Sequence, residues 1–202
     1  MDIRLLLISH ASTAAMRAGR FPGDVSFDSL DQRSIAEIDA TRAHLSIPGD
    51  ASALVSPALC ARATAQALKL AAIVDANLAD VNYGAWQGRR LADLLTEAPQ
   101  ELGAWMHDPD AKPHGGESFS QLVKRVGAWL DSLSDPASQR TLDDKNKLRT
   151  IVAVTHAPVM RAAIVVALGA AAQVFPRIEI APLSIIELRC SRRGWTWWPA
   201  VG

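Results

Sequence analysis

The chain has 202 residues, and its 21 Lys and Arg balance 21 Asp and Glu, giving a formal charge of zero at neutral pH. That balance excludes the basic surface by which a protein holds nucleic acid or an anionic membrane. A content of 49% hydrophobic and 21% charged residues is globular and excludes disorder. The longest apolar run, Ala162–Ala172, falls short of the ~18 residues of a membrane-spanning helix. Cys60 and Cys190 are too few for a disulfide framework and too isolated for a metal site, so a metal-free and cofactor-free protein of the reducing cytoplasm is expected.

The opening MDIRLLLISH reads as a strand, Ile3–Ser9, rather than a secretion signal, because its apolar stretch is short and no small-residue cleavage site follows. Its near-continuous apolar character is that of a central parallel strand buried on both faces. A Gly-, Pro- and Asp-containing loop (Gly19 to Asp31) leads to a helical pattern over Arg33–Leu45, then a short strand at Ala51–Val55. Ser56-Pro57 reads as a helix cap with proline in the first turn, opening a helix through Ile73. Val81–Trp86 is extended, and Pro99 separates short helices at Leu91–Leu95 and Gln100–Met106. After a loop over Pro109–Gly116, Ser118 and Gln121 form a capping box for a helix to Leu133. Ser134–Leu148 is a polar, solvated connection. Thr150–Thr155 is a second buried-type strand, followed by His156-Ala157-Pro158 and a helix to Leu168. Ser184–Arg189 and Trp195–Trp198 read as an antiparallel pair at a sheet edge. Strands alternating with helices predict an α/β three-layer sandwich, a mostly parallel central sheet with helices on both faces and an antiparallel edge. The chain reads as one domain, 1–202, with a helical lid-like insertion at about 89–116.

His10 and His156 each directly follow a buried-type strand. Ligands of open α/β sheets bind outside the carboxyl ends of the strands, so the two rings are expected to face one crevice. Helix starts behind them add backbone N–H donors, which favours an anion. His107 and His114 read as exposed loop residues, Trp105 and Trp129 as core, and Tyr83 and Trp86 as packing residues.

Five segments between Leu5 and about Leu188 resemble, in order, those of the histidine phosphatase superfamily, the phosphoglycerate-mutase-like group. Ser9-His10-Ala11 is similar to its Arg-His-Gly signature, with Arg20-Phe21-Pro22-Gly23 at the following spacing. Ser56 to Ala65, with Cys60-Ala61 and Thr64-Ala65 at the matching positions, is similar to the second segment, and Asp80-Val81-Asn82-Tyr83-Gly84-Ala85-Trp86-Gln87-Gly88 to the third. Gly115-Gly116-Glu117-Ser118 is intact, and Thr155-His156-Ala157 resembles the second histidine segment.

The resemblance implies a metal-independent phosphatase in which His10 attacks phosphorus, His156 contacts the phosphate oxygens and Asp80 is the acid, one methylene shorter than the usual Glu. It also implies a phosphate pocket around Ser9, Ser12 and Ala157. Ser9 and Cys60 stand where the superfamily places two arginines, and each lost charge-assisted contact costs about 1.5–3 kcal/mol. Arg20 and Arg62 are candidates to replace that charge, Arg62 only if the first turn of its helix is irregular, since it lies about 200° from Cys60; Arg17, Arg89, Arg90 and Arg161 are nearby in sequence. Three readings stay open: a divergent phosphomonoester hydrolase acting on a small phosphorylated metabolite, a catalytically inactive relative that binds a ligand or protein partner, and a site serving a less anionic substrate. Hydrolysis is favoured over mutase chemistry, which must hold a second phosphate beside the phosphorylated intermediate in a pocket already short of arginines. Beyond the substrate, the expected partner is a second copy of the chain through the Trp-rich edge, with no nucleic acid and no membrane.

Overall fold

The computed structural model describes residues 2–23, 29–135 and 148–199. Most of the polar connection expected at Ser134–Leu148 therefore lies outside the described residues. The centre is a six-stranded sheet in the order β3-β2-β4-β1-β5-β6. β1 (Ile3–Ser9), β2 (Ser52–Val55), β3 (Ile73–Val74) and β4 (Arg149–Thr155) run parallel, whereas β5 (Ile185–Ser191) is antiparallel to β1 and β6 (Gly194–Trp198) antiparallel to β5. This is the mostly parallel α/β sheet with an antiparallel edge that the sequence pattern predicts.

Burial on both faces explains the apolar runs. Leu5 and Leu7 of β1 belong to a core shared with α6 (Phe119–Ser134) and α7 (Ala157–Leu168), through Leu122, Val126, Val159 and Met160. Leu6 and Ile8 face the other way, onto Ile38 of α2 (Gln32–His44) and Ala61 and Ala65 of α3 (Leu59–Ala67). The expected capping box is present, Ser118 Oγ accepting from the Gln121 N–H and Gln121 Oε1 from the Ser118 N–H. A short α1 (Ala14–Arg17) is capped by Thr13. The two helices between Tyr83 and His114 are α4 (Leu91–Glu97) and α5 (Pro99–His107).

Three local expectations change. The helix read from Ser56 through Ile73 spans only Leu59–Ala67, because Ser56 Oγ accepts from the Ala58 N–H in a turn and Lys69 (φ 60°) turns the chain out of the helix. Ile73-Val74 then adds the edge strand β3. Val81–Trp86 is not extended throughout, since Gly84–Trp86 closes one 3₁₀ turn.

One charged group sits inside the sheet. Glu187 of β5, 2% exposed, accepts from Arg4 Nε and Nη2 (3.1 and 3.0 Å) and from Arg189 Nε (2.6 Å). Burial alone would push its carboxyl up, but the hydrogen bonds and charges of Arg4 and Arg189 hold it below the usual range. On β6, Trp195 packs against the core while Trp197 and Trp198 stay exposed, with the Arg189 guanidinium 4.0 Å over the Trp198 ring.

Candidate active site at the strand ends

Register places the site. Ser9 pairs with Thr155 and Val55 with Val154, so β1, β4 and β2 end at one level and His10, His156 and Ser56 emerge side by side. The His10 N–H donates to the Thr155 carbonyl (2.9 Å) and the Ser56 N–H to the Val154 carbonyl (3.0 Å), which continues the sheet ladder into the site. The two rings are 5.0 Å apart between centroids at an interplanar angle of 69°. His10 Nδ1 donates to the Ala11 carbonyl (2.7 Å); a carbonyl can only accept, so in the neutral ring the lone pair lies on Nε2. The Ala11 N–H donates to Thr64 Oγ1 (3.1 Å), whose hydroxyl donates to the Cys60 carbonyl (2.7 Å), so α3 braces the loop behind the ring.

His156 Nε2 lies 2.8 Å from Ser56 Oγ. Its Nδ1 is 3.4 Å from Asp80 Oδ2, close enough for charge interaction but not aligned as a hydrogen bond. Asp80 Oδ1 accepts from the Val81 N–H (2.8 Å). Burial, followed by the neighbouring His156, lowers the pKa of His10 to about 4, against weaker opposing effects of the Ala11 bond and Asp80. Burial and then the Arg125 charge lower His156 to about 3. Both rings are therefore neutral at pH 7. Burial raises Asp80 to about 6, opposed by the Val81 N–H, His10 and Arg125.

Opposite the strand ends stands an apolar wall. The cleft, about 290 Å³, is lined by Ser9, His10, Asp80, His156 and Ala157 on one side and by Phe21, Tyr83, Leu91 and Trp105 on the other. Phe21 meets Tyr83, Trp86 and Trp105 at ring separations of 5.0–5.6 Å. Burial pushes the Tyr83 phenol well above its usual value, so it stays a neutral wall residue.

Two glycine-containing segments, the stretch after Asp80 and the one after His114, are held together behind this wall. The Ala85 N–H donates to the His114 carbonyl (2.9 Å) and the Glu117 N–H to the Asn82 carbonyl (2.8 Å). A Cβ on Gly84 would come within 2.0 Å of the His114 oxygen, and one on Gly116 within 1.9 Å of the Asn82 oxygen, so only glycine permits the contact.

The profile of the histidine phosphatase superfamily, branch 1, matches residues 5–198. The chain belongs to that superfamily. It is 28% identical over 191 residues to a bifunctional protein of Mycobacterium tuberculosis, a match covering 91% of this chain and 50% of that protein, so the chain spans about half the length of this relative. It is 25% identical over 172 residues to phosphoserine phosphatase 1 of Hydrogenobacter thermophilus, covering 83% of this chain and 77% of that one. Its fold superposes with a TM-score of 0.80 on the alpha-ribazole phosphatase of Shigella flexneri, at 24% identity and with 96% and 94% of the two chains covered.

Within this superfamily fold, the sequence-derived site residues separate into two groups. His10, His156, Asp80, Ser9, Ala157 and Arg20 converge on the cleft. Arg20 Nη1 donates to the Gly88 carbonyl (3.0 Å) at its rim. Arg62 does not converge: it lines a separate groove with Gln66 and Lys69, because two residues along a helix rotate it roughly 200° from buried Cys60. Ser12 turns away to accept from Arg17 Nη1 (2.8 Å) and donate to Glu37. Arg17 also pairs with Asp31, Arg89 with Glu97, and Arg161 with Glu179. His114, read as exposed, is buried against Trp86 and Tyr83, its Nδ1 accepting from the Gly116 N–H.

The sequence reading missed two groups. Ser56, read as a helix cap, is a partner of His156; its place directly after β2 was the available signal. Arg125 braces the Asp80 segment, donating to both Glu117 oxygens (2.8 Å each) and to the Asn77 and Ala79 carbonyls. No short-range pattern announces it.

Proposed function

We propose that the protein hydrolyses a small phosphomonoester through a phosphohistidine at His10. The observation that carries this is the His10 Nδ1–Ala11 bond, which turns the Nε2 lone pair into a buried nucleophile beside a second neutral histidine. In this reading Nε2 attacks phosphorus and the bond from phosphorus to the leaving oxygen breaks, while Asp80, protonated, gives that oxygen its proton. Water then attacks the phosphohistidine, Asp80 takes the water's proton, and inorganic phosphate leaves with His10 restored. The raised pKa of Asp80, about 6, supports the acid role. His156 and the first N–H groups of α7 face the phosphoryl oxygens and stabilise their charge. The wall of Phe21, Tyr83 and Trp105 favours an apolar or aromatic leaving group. Residues 89–116 serve as the lid, since Leu91 and Trp105 belong to that wall. The same proposal places the protein in the cytoplasm, where unbridged Cys60 and Cys190 stay reduced, as a homodimer joined through the exposed Trp197-Trp198 edge.

The test is turnover of aryl phosphates and of a panel of sugar, nucleotide and glycerate phosphates, alongside His10→Ala and acid-quench trapping of phosphohistidine. Turnover that depends on His10 is expected; none at any pH from 5 to 8 overturns the proposal. The inactive, ligand-binding reading has one observation in its favour, the neutral side chains Ser9 and Cys60 at the superfamily's arginine positions.

A further inference from the structure

Cys60, isolated in sequence, is not isolated in the fold. One nitrogen from each of His10 and His156 and the Cys60 sulfur all lie within 4.8 Å of one another. All three side chains are buried, and Cys60 is not in a disulfide. We propose that His10, Cys60 and His156 form a binding site for a borderline-soft transition cation, Zn²⁺ in the first instance, with its fourth position open to the cleft.

The donor set selects the ion class. Two imidazoles and a thiolate suit Zn²⁺, and Co²⁺ as its spectroscopic substitute, over Mg²⁺ or Ca²⁺, which require oxygen ligands. Tetrahedral Zn²⁺ with bonds of about 2.0–2.3 Å holds its ligand atoms roughly 3.3–3.6 Å apart, so side-chain shifts on the order of an ångström close the site. The Ala11 bond already leaves the His10 lone pair on Nε2. His156 has Ser56 at one nitrogen and Asp80 at the other, so whichever nitrogen ligates, a neighbour is in place to orient the ring. On binding, the Cys60 S–H bond gives its proton to solvent and the sulfur ligates as thiolate. Ser9 and Cys60 matter twice here: without arginines the pocket loses its hold on phosphate and also its repulsion of a cation.

The site stands independently of phosphatase chemistry, but the two uses exclude each other, since the metal and phosphorus would both take His10 Nε2. The experiment titrates Co²⁺ into the purified, metal-stripped full chain. One equivalent is expected to produce a thiolate-to-cobalt charge-transfer band together with intense tetrahedral visible bands, and Zn²⁺ is expected to abolish both. Cys60→Ser is expected to lose the charge-transfer band and at least tenfold of Zn²⁺ affinity, while Cys190→Ser keeps both. Zn²⁺ is also expected to protect Cys60 from alkylation in the unmutated chain, a readout that needs no variant to fold. A titration without a thiolate band, a band that survives Cys60→Ser, or alkylation of Cys60 at an unchanged rate overturns the proposal. Each of these readouts is taken on unphosphorylated chain, so none depends on whether His10 turns over a phosphate ester.

Discussion

Two buried polar groups on β1 and its neighbours resolve the same problem in opposite ways. Beside the middle of β1, opposite Leu6, Glu187 keeps its charge inside the sheet because Arg4 and Arg189 both donate to it. Just beyond the carboxyl end of β1, burial strips His10 and His156 of theirs, aided by His156 at His10 and by the Arg125 charge at His156, while Asp80 meets His156 only in a misaligned contact at 3.4 Å. Burial does not decide whether a group is ionised; the partners it meets decide. The first arrangement is structural and the second leaves lone pairs available for chemistry.

The sharpest way to break the contrast is to remove the His10 lone pair. His10→Ala is expected to lower kcat by about 10³-fold or more, measured by phosphate release, because the remaining histidine of the cleft, His156, has Ser56 at Nε2 and Asp80 beside Nδ1 rather than a lone pair set for attack. Giving the histidines the cations that Glu187 possesses should have the next largest effect. Ser9→Arg with Cys60→Arg is expected to tighten orthovanadate or phosphate binding about 10²- to 10⁴-fold, at about 1.5–3 kcal/mol for each of two charge-assisted bonds. Unchanged affinity by calorimetry would mean that these positions do not face the phosphate. Inside the sheet, Arg4→Ala leaves Glu187 with one cation. Since Arg4 is 27% exposed and Arg189 remains, the cost is set at about 1–2 kcal/mol, a fall in Tm of several degrees by calorimetry.

The smallest effect is in pH. Glu187 has a depressed folded pKa, so its stabilisation is complete above the unfolded value of about 4.3 and is lost as pH falls through the lower folded value. Glu187→Gln should therefore flatten the acid limb of the stability profile in urea unfolding. A parallel loss in both proteins below pH 4 would remove Glu187 from the account.

The sequence made legible what depends on strand burial. Ile3–Ser9 and Thr150–Thr155 are apolar throughout because both faces are covered, and the polar residue that ends each run, His10 or His156, had to stand at the sheet's carboxyl edge. The capping box over Ser118 and Gln121 was equally readable, being a local geometry. What escaped depends on contacts between distant segments. Cys60 converges with the histidines only through the parallel registers of β2, β4 and β1. Arg125 reaches the Asp80 segment from the middle of α6, and His114 is covered by Trp86 and Tyr83 of another loop. Arg62 shows the limit from the other direction: it lies two residues past the motif's arginine position, which Cys60 holds, and helix rotation carries it to a different groove.

The backbone bond from His10 to Thr155 has a mechanical consequence. Because the sheet itself fixes the spacing of the two backbones that carry the rings, the site behaves as a gauge: it can adjust by side-chain rotation on the order of an ångström, as a small cation requires, and it rejects an occupant that needs the strands to part. Adaptation to new ligands must then fall to the opposite side of the cleft, where α4 and α5 can be exchanged without resetting the gauge.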